Sequence, residues 1–175
     1  MQNLILRQAQ PEDAVRIIAY MQTLAAEPNI GIGLSEGEFT QTEEQEARFI
    51  EDLAQSGNSL FLVAEADGKL IGLLTLQGGK RRSDRHAAYL GITVANGCRN
   101  QGVGKALMQA AMEWARASGT LKRIGLRVYT DNQPAIHLYE NFGFKVEGQN
   151  KLALYRDNRF HDVLLMALLL EEVPG

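Results

Sequence analysis

The stretch 87–107, AAYLGITVANGCRNQGVGKAL, constrains the fold more than any other part of the chain. Ala88, Leu90, Ile92 and Val94 fall at every second position, so a strand would set them on one face and Tyr89, Gly91 and Thr93 on the other. Ala95-Asn96-Gly97 breaks that strand. Arg99, Asn100, Gln101, Gly102, Val103 and Gly104 then open a helix whose apolar face continues through Leu107, Ala110 and Trp114. The first N–H groups of such a helix have no intrahelical acceptor and carry partial positive charge. Gly102 and Gly104 put no side chain over them, and Arg99 and Lys105 add full charges. The run is suited to a phosphate or pyrophosphate.

Two common phosphate motifs do not fit. Gly97 and Gly102 have P-loop spacing, but Val103 stands where that motif needs lysine, and Gly102-Val103-Gly104 lacks the third glycine of a dinucleotide fingerprint. Arg99-x-x-Gly102-x-Gly104 instead resembles motif A of the GNAT superfamily of N-acetyltransferases, (R/Q)-x-x-G-x-(G/A), which follows that family's fourth strand. A second run, 132–144, resembles motif B, N-x-x-A-I-x-L-Y-x-x-x-G-F, through Asn132, Ala135, Ile136, Leu138, Tyr139, Gly143 and Phe144. The two motifs stand in the family's order, with a strand's length between them. The resemblance extends over nearly the whole chain. It is nearest to bacterial single-domain members, including those that acetylate the α-amine of free L-amino acids.

The rest of the chain is read in order. Residues 3–9 alternate around Leu4 and Leu6 as a strand. Pro11-Glu12-Asp13 suits a first helical turn, and Ala14, Ile17, Ile18, Met21, Leu24 and Ala25 recur at helical spacing until Pro28. Residues 29–41 carry Asn29, Gly31, Gly33 and Gly37 and read as irregular backbone. Ile30, Ile32, Leu34 and Phe39 either line a pocket, with Glu27, Glu36 and Glu38 facing a cationic group, or belong to a solvated loop. Thr42-Glu43-Glu44-Gln45 is a capping box for a helix with Ala47, Ile50, Leu53 and Ala54 inward.

Residues 59–66 and 69–76 are strands joined at Asp67-Gly68, a strong hairpin signal. The basic run in 78–86, with Lys80, Arg81, Arg82 and Arg85, is either a solvated turn or a contact for an anion or another subunit. Gly119 closes the helix after the central strand. The strand at 121–129 follows a helical crossover, so it should lie parallel to 87–94. A helix over 131–142 and a final hairpin, 144–155 and 160–170, complete an α/β arrangement. The apolar run 164–170 either completes the core or supplies an interface for a homodimer.

Composition narrows the function. The 175 residues suit a single domain, 1–175, and 45% hydrophobic with 22% charged residues is ordinary for a folded protein. A net charge of −3 argues against general nucleic-acid binding. The lone Cys98 allows no internal disulfide and fits a reducing compartment. As a nucleophile it has no motif around it. Scattered histidines with no CxxC or HExxH spacing give no metal signal. No apolar run is long enough to span a bilayer, and no signal peptide precedes Leu4-Ile5-Leu6, so a cytoplasmic protein without membrane contact is expected.

What the resemblance implies is more specific. It implies the GNAT (acyl-CoA N-acyltransferase) fold, a mixed and mostly antiparallel sheet with helices on both faces. Acetyl-CoA would be the donor cosubstrate, with no metal, and a small primary amine the acceptor. Backbone groups of Ile92, Thr93 and Val94 would bond the pantetheine arm between two splayed strands. The segment Arg99, Asn100, Gln101, Gly102, Val103, Gly104 and Lys105 would hold the pyrophosphate, and Asn132 and Ala135 would meet the cofactor from motif B. Tyr139 resembles the family's general acid beside the sulfur.

The base has no such assignment. Many relatives carry Glu or Asp where this chain has Tyr89, a poor base with an ordinary pKa near ~10. Glu36, Glu38, Asp84 and His86 remain as routes through water. The acceptor implied is an L-amino acid α-amine; a polyamine, an aminoglycoside or a protein N-terminus would suit the same chemistry. The reading from another class is an acyl-CoA-binding sensor or interaction module without turnover, which Tyr89 favours and Tyr139 opposes.

Overall fold

The computed structural model describes residues 3–170. The elements run β1 (Ile5–Gln8), a short 3-10 turn (Pro11–Asp13), α1 (Ala14–Ala26), α2 (Glu43–Gln55), β2 (Leu60–Ala66), β3 (Lys69–Gly78), β4 (Ala87–Val94), α3 (Val103–Ala117), β5 (Arg123–Tyr129), α4 (Gln133–Asn141), β6 (Lys145–Arg156) and β7 (Arg159–Leu169). The strands make one seven-stranded sheet in the order β1-β2-β3-β4-β5-β7-β6. Every neighbouring pair is antiparallel except β4 and β5. That pair is joined through α3, and a helical crossover returns the chain in the same direction.

Local signals set these elements. Asp67 and Gly68 both take left-handed backbone, φ 50° and 75°, which a two-residue hairpin turn with the sheet's twist requires. Thr42 caps α2 by accepting from Gln45 N at 3.3 Å, while the Gln45 side chain accepts from Thr42 N at 2.9 Å. Alternation then divides the core between the two faces of the sheet. Leu107, Met108, Ala111 and Met112 of α3, with Ile136 and Tyr139 of α4, pack on Leu74, Leu76, Leu90, Ile124 and Leu126. On the other face Ile17, Tyr20 and Leu24 of α1 and Ile50 and Leu53 of α2 pack on Phe61, Val63 and Leu73. Helices therefore cover both faces of a mostly antiparallel sheet, as expected.

Two expectations are settled or corrected by packing. Ala54 is exposed, not inward, because α2 turns only a narrow stripe to the sheet. In the final strand Met166, Ala167 and Leu168 are buried and Leu164 packs beside them, so that run completes the core. The basic run forms a turn with Lys80, Arg81, Arg82 and Arg85 all exposed. The buried Asn58 amide holds it by donating to the carbonyls of Gly79 at 3.0 Å and Arg85 at 2.9 Å. Among the described residues no helix is long and apolar enough to cross a membrane.

Candidate active site

The site is organised by the point where β4 and β5 part. Their pairing covers Ala87–Arg123, Ala88–Ile124 and Tyr89–Gly125 and then stops, although β4 continues to Val94 and β5 to Tyr129. Ala95 N donates to Ile71 O and Gly79 N to Ala87 O, each at 2.9 Å, so the odd-numbered residues of β4 bond to β3. Leu90, Ile92 and Val94 consequently turn their backbone groups toward the gap. Ile92 turns both its backbone groups toward the gap and Val94 its N–H, the Val94 carbonyl accepting from Arg99 Nε. Thr93 does not: its backbone faces Leu73 on β3.

At the open end of the gap, α3 begins without a cap. Gly102 holds φ 86°, no side chain bonds the first turn, and no acid lies in it. Ala106 N is the first amide to find its acceptor, Gly102 O at 2.9 Å. The amides of Val103, Gly104 and Lys105 have none among the described residues, and such groups attract an anion.

The glycines have separate reasons. Gly102 supplies left-handed backbone. A Cβ on Gly104 would lie 3.4 Å from Leu138 Cδ2 and 3.8 Å from Val94 Cγ2, an ordinary packing contact between α3, α4 and β4. Arg99 also departs from expectation: Nη2 donates to Glu27 at 2.5 Å and Nε to Val94 O at 3.0 Å. Gln101 is spent on the turn, its amide donating to Gly97 O at 2.5 Å, and Asn100 is an exposed left-handed residue, φ 60°. Lys105 remains exposed.

Helix α4 delivers motif B. Asn132 caps it, its side chain accepting from Ala135 N at 3.3 Å, so these two residues meet each other first. Tyr139 is 6% exposed and packs on Phe144 with ring centroids 5.9 Å apart. Burial pushes its phenol up to about 12. A hydroxyl that stays protonated is a usable proton donor.

The α1 and α2 face of the sheet carries a different set. Tyr89 is 49% exposed and its ring lies over Gly125; burial of its remainder raises the phenol, which Arg127 opposes. Arg127 is exposed two residues past the point of splay, on the face opposite Leu126 and Val128. Of the arginines on β5 and the last hairpin, Arg123 pairs with Glu147, Arg159 with Asp131 at 3.2 Å, and Arg156 with loop carbonyls. Arg127 has no ion-pair partner among the described residues.

Among the described residues no carboxylate bonds to Tyr89 or Tyr139. Glu38 accepts from Ser35 N at 2.7 Å, Asp84 from Arg81 N at 2.8 Å, Glu36 and His86 are exposed, and the cation facing Glu27 is the protein's own Arg99.

Sequence reasoning missed several groups around this mouth. Tyr20 of α1 sets its buried hydroxyl beside that of Thr93, but neither has hydrogen-bond geometry with a partner; burial pushes Tyr20 up to about 12. Arg156, Tyr129 and His161 are buried together, with Tyr129 stacked on His161 at 4.5 Å. The loop apolar residues Ile30 and Ile32 pack on the α1 and α2 core. Arg156 stood in a hairpin turn with no periodic signal, so only its contacts reveal it.

Comparison with known proteins agrees with this geometry. Residues 21–144 match the model of the "Acetyltransferase (GNAT) family". The L-amino acid N-acetyltransferase of Escherichia coli is 38% identical over 106 residues, which are 61% of this chain and 65% of that protein, just under two thirds of its length. A GNAT-family acetyltransferase structure from Streptococcus pneumoniae superposes with TM-score 0.91 at 35% identity, covering 95% of this chain and 99% of that one. An acetyltransferase from Salmonella typhimurium, solved with its cofactor acetyl-CoA, shares the fold at TM-score 0.86 and 20% identity, covering 99% of this chain and 98% of that one.

Proposed function

The chain belongs to the acetyltransferase (GNAT) family, and on that footing we propose that it moves the acetyl group of acetyl-CoA to the amine of a small molecule, foremost the α-amine of an L-amino acid. The observation that carries the reading is the gap past Tyr89–Gly125 opening beside the uncapped start of α3. The pantetheine amides fit the edge centred on Ile92, between the last β4–β5 bridge and the Val94 carbonyl that accepts from Arg99 Nε. The pyrophosphate fits the amides of Val103, Gly104 and Lys105. Acetyl-CoA, when bound, supplies an activated thioester carbonyl. The chain's own part is to hold it, to offer the Tyr139 proton to the departing thiolate, and to hold the amine in line.

Two observations favour an acid-bearing amine as acceptor. The Escherichia coli relative is named for L-amino acids. Arg127, an unpaired cation on the acceptor face, would attract a carboxylate and repel a polyamine. The second reading, a binding module without turnover, draws on Tyr89, whose phenol burial keeps protonated and so unable to take a proton from the amine.

Free-thiol release from acetyl-CoA, measured over paired L-amino acids and their amides, polyamines and aminoglycosides, separates these readings. Turnover with the acids above their amides is expected. Binding of acetyl-CoA with no turnover on any amine would establish the module instead.

A further inference from the structure

The segment between α1 and α2 has no strand to pair with, yet its backbone is held from three sides. Arg156, the last residue of β6 and 5% exposed, aims its guanidinium into it. Nη2 donates to the carbonyls of Ala25 at 2.9 Å and Glu27 at 2.6 Å; Nη1 donates to Ile32 O at 3.3 Å and to Leu34 O. Two of those carbonyls close the C-terminus of α1, the negative end of the helix dipole. The Tyr129 hydroxyl, at the end of β5, donates to the same Ile32 O at 2.9 Å, and Asn29 N donates to Asp157 at 2.9 Å.

The segment also meets the other edges of the gap. Glu27 is paired with Arg99 beyond the end of β4. Gly31 lies so close to Asn132 at the start of α4 that a Cβ there would overlap the Asn132 amide. Residues 27–34 therefore cross the mouth of the splayed strands, from the end of β4 to the end of β5, on the face where Tyr89 and Arg127 are exposed.

A buried guanidinium is an expensive way to pack a loop unless it is matched; carbonyls from four residues take Nη1 and Nη2, while Nε, without a hydrogen bond, lies 3.6 Å from the Asp157 carboxylate. Lysine could not cover that spread, because its ammonium is a single point on a flexible stem. We infer that Arg156 is a positioning residue for the acceptor: it fixes residues 27–34 across the mouth of the β4–β5 gap, so that this segment forms the wall against which the amine lies. The inference rests on the acetyltransferase reading above.

The test compares the parent with Arg156→Lys and Tyr129→Phe in two measurements. Hydrogen exchange of peptides over 27–36 reports the segment whether or not an acceptor is known. Steady-state kinetics with the best amine of the panel, together with the dissociation constant of acetyl-CoA by calorimetry, report the site. Loss of a charge-assisted bond should speed exchange in the segment about tenfold or more. Acceptor KM should rise about tenfold, with kcat and acetyl-CoA affinity within about threefold. Tyr129→Phe removes one of these bonds without unpairing a charge, so it carries the test if Arg156→Lys does not fold. Faster exchange with an unchanged acceptor KM would overturn the inference alone. A parent that binds acetyl-CoA but acetylates nothing sinks the acetyltransferase reading and the inference with it.

Discussion

Arg99 and Glu27 form an ion pair of 2.5 Å between the turn that follows β4 and the end of α1. The guanidinium expected at a pyrophosphate is thereby held against a carboxylate 72 residues away in sequence. To reach a phosphate it must leave that partner, and a half-exposed pair contributes about 0.2–1 kcal/mol. Glu27→Gln should therefore tighten acetyl-CoA binding by about two- to fivefold in calorimetry. An unchanged dissociation constant would mean that Arg99 is no phosphate ligand and belongs to the wall of the mouth.

Gly104 gives a prediction opposite to the one its motif suggests. The space its Cβ would enter lies toward Leu138, Val94 and Ile92. Gly104→Ala should fit there and stabilise the helix by up to about 1 kcal/mol in urea unfolding, with acetyl-CoA affinity little changed. Gly104→Val should press its branches into Leu138 and cost about 1–3 kcal/mol. A stable valine variant that has lost only cofactor affinity would return the phosphates to this position.

Tyr139→Phe removes the hydroxyl and keeps a ring that packs on Phe144. Stability and acetyl-CoA affinity should hold. General acid catalysis contributes about 10²–10⁴-fold, and the thiolate is a fair leaving group, so the single-turnover rate should fall toward the lower end of that range. Because burial raises the phenol to about 12, the parent's rate should show no loss of this acid between pH 7 and pH 9. A single-turnover rate equal to the parent's would remove Tyr139 from the mechanism.

Tyr20 and Tyr139 both titrate higher in the folded chain, at about 12, than the unfolded value near ~10. The unfolded chain then releases these protons first, so the stability tied to them is complete below pH ~10 and is lost as pH rises from there through about 12. Tyr20→Phe removes a buried hydroxyl without a partner. Stability at pH 7 should be unchanged or higher by about 1 kcal/mol, and the loss between pH 7 and pH 10.5 should be shallower than in the parent. A clear loss of stability at pH 7 would show that the hydroxyl is bonded after all.

The asymmetry between what was legible and what was not has a physical origin. Elements declared themselves because their causes are local. Asp67-Gly68 forms its turn from two residues' backbone freedom, Thr42 and Gln45 satisfy each other across one helical turn, and the alternation of Ala88, Leu90, Ile92 and Val94 needs only the pleat of a strand. Even the parallel pairing of β4 with β5 follows from chain order, since a helix lies between them. The start of α3 was readable as an anion site because unbonded amides belong to every helix end.

Tertiary structure decided where the polar side chains went. Arg99, Gln101 and Asn132 fit the motif pattern, yet their nearest partners are Glu27, Gly97 and Ala135, which no spacing rule could rank above a ligand. Arg156 had no signal at all, because its donors meet carbonyls of Ala25 and Glu27 about 130 residues earlier in the chain. Side chains of this length choose among whatever the fold brings within about 3 Å. Local chemistry along the chain sets the strands, the helices and the unbonded amides after Gly102; the folded chain alone selects which residues close the mouth above them.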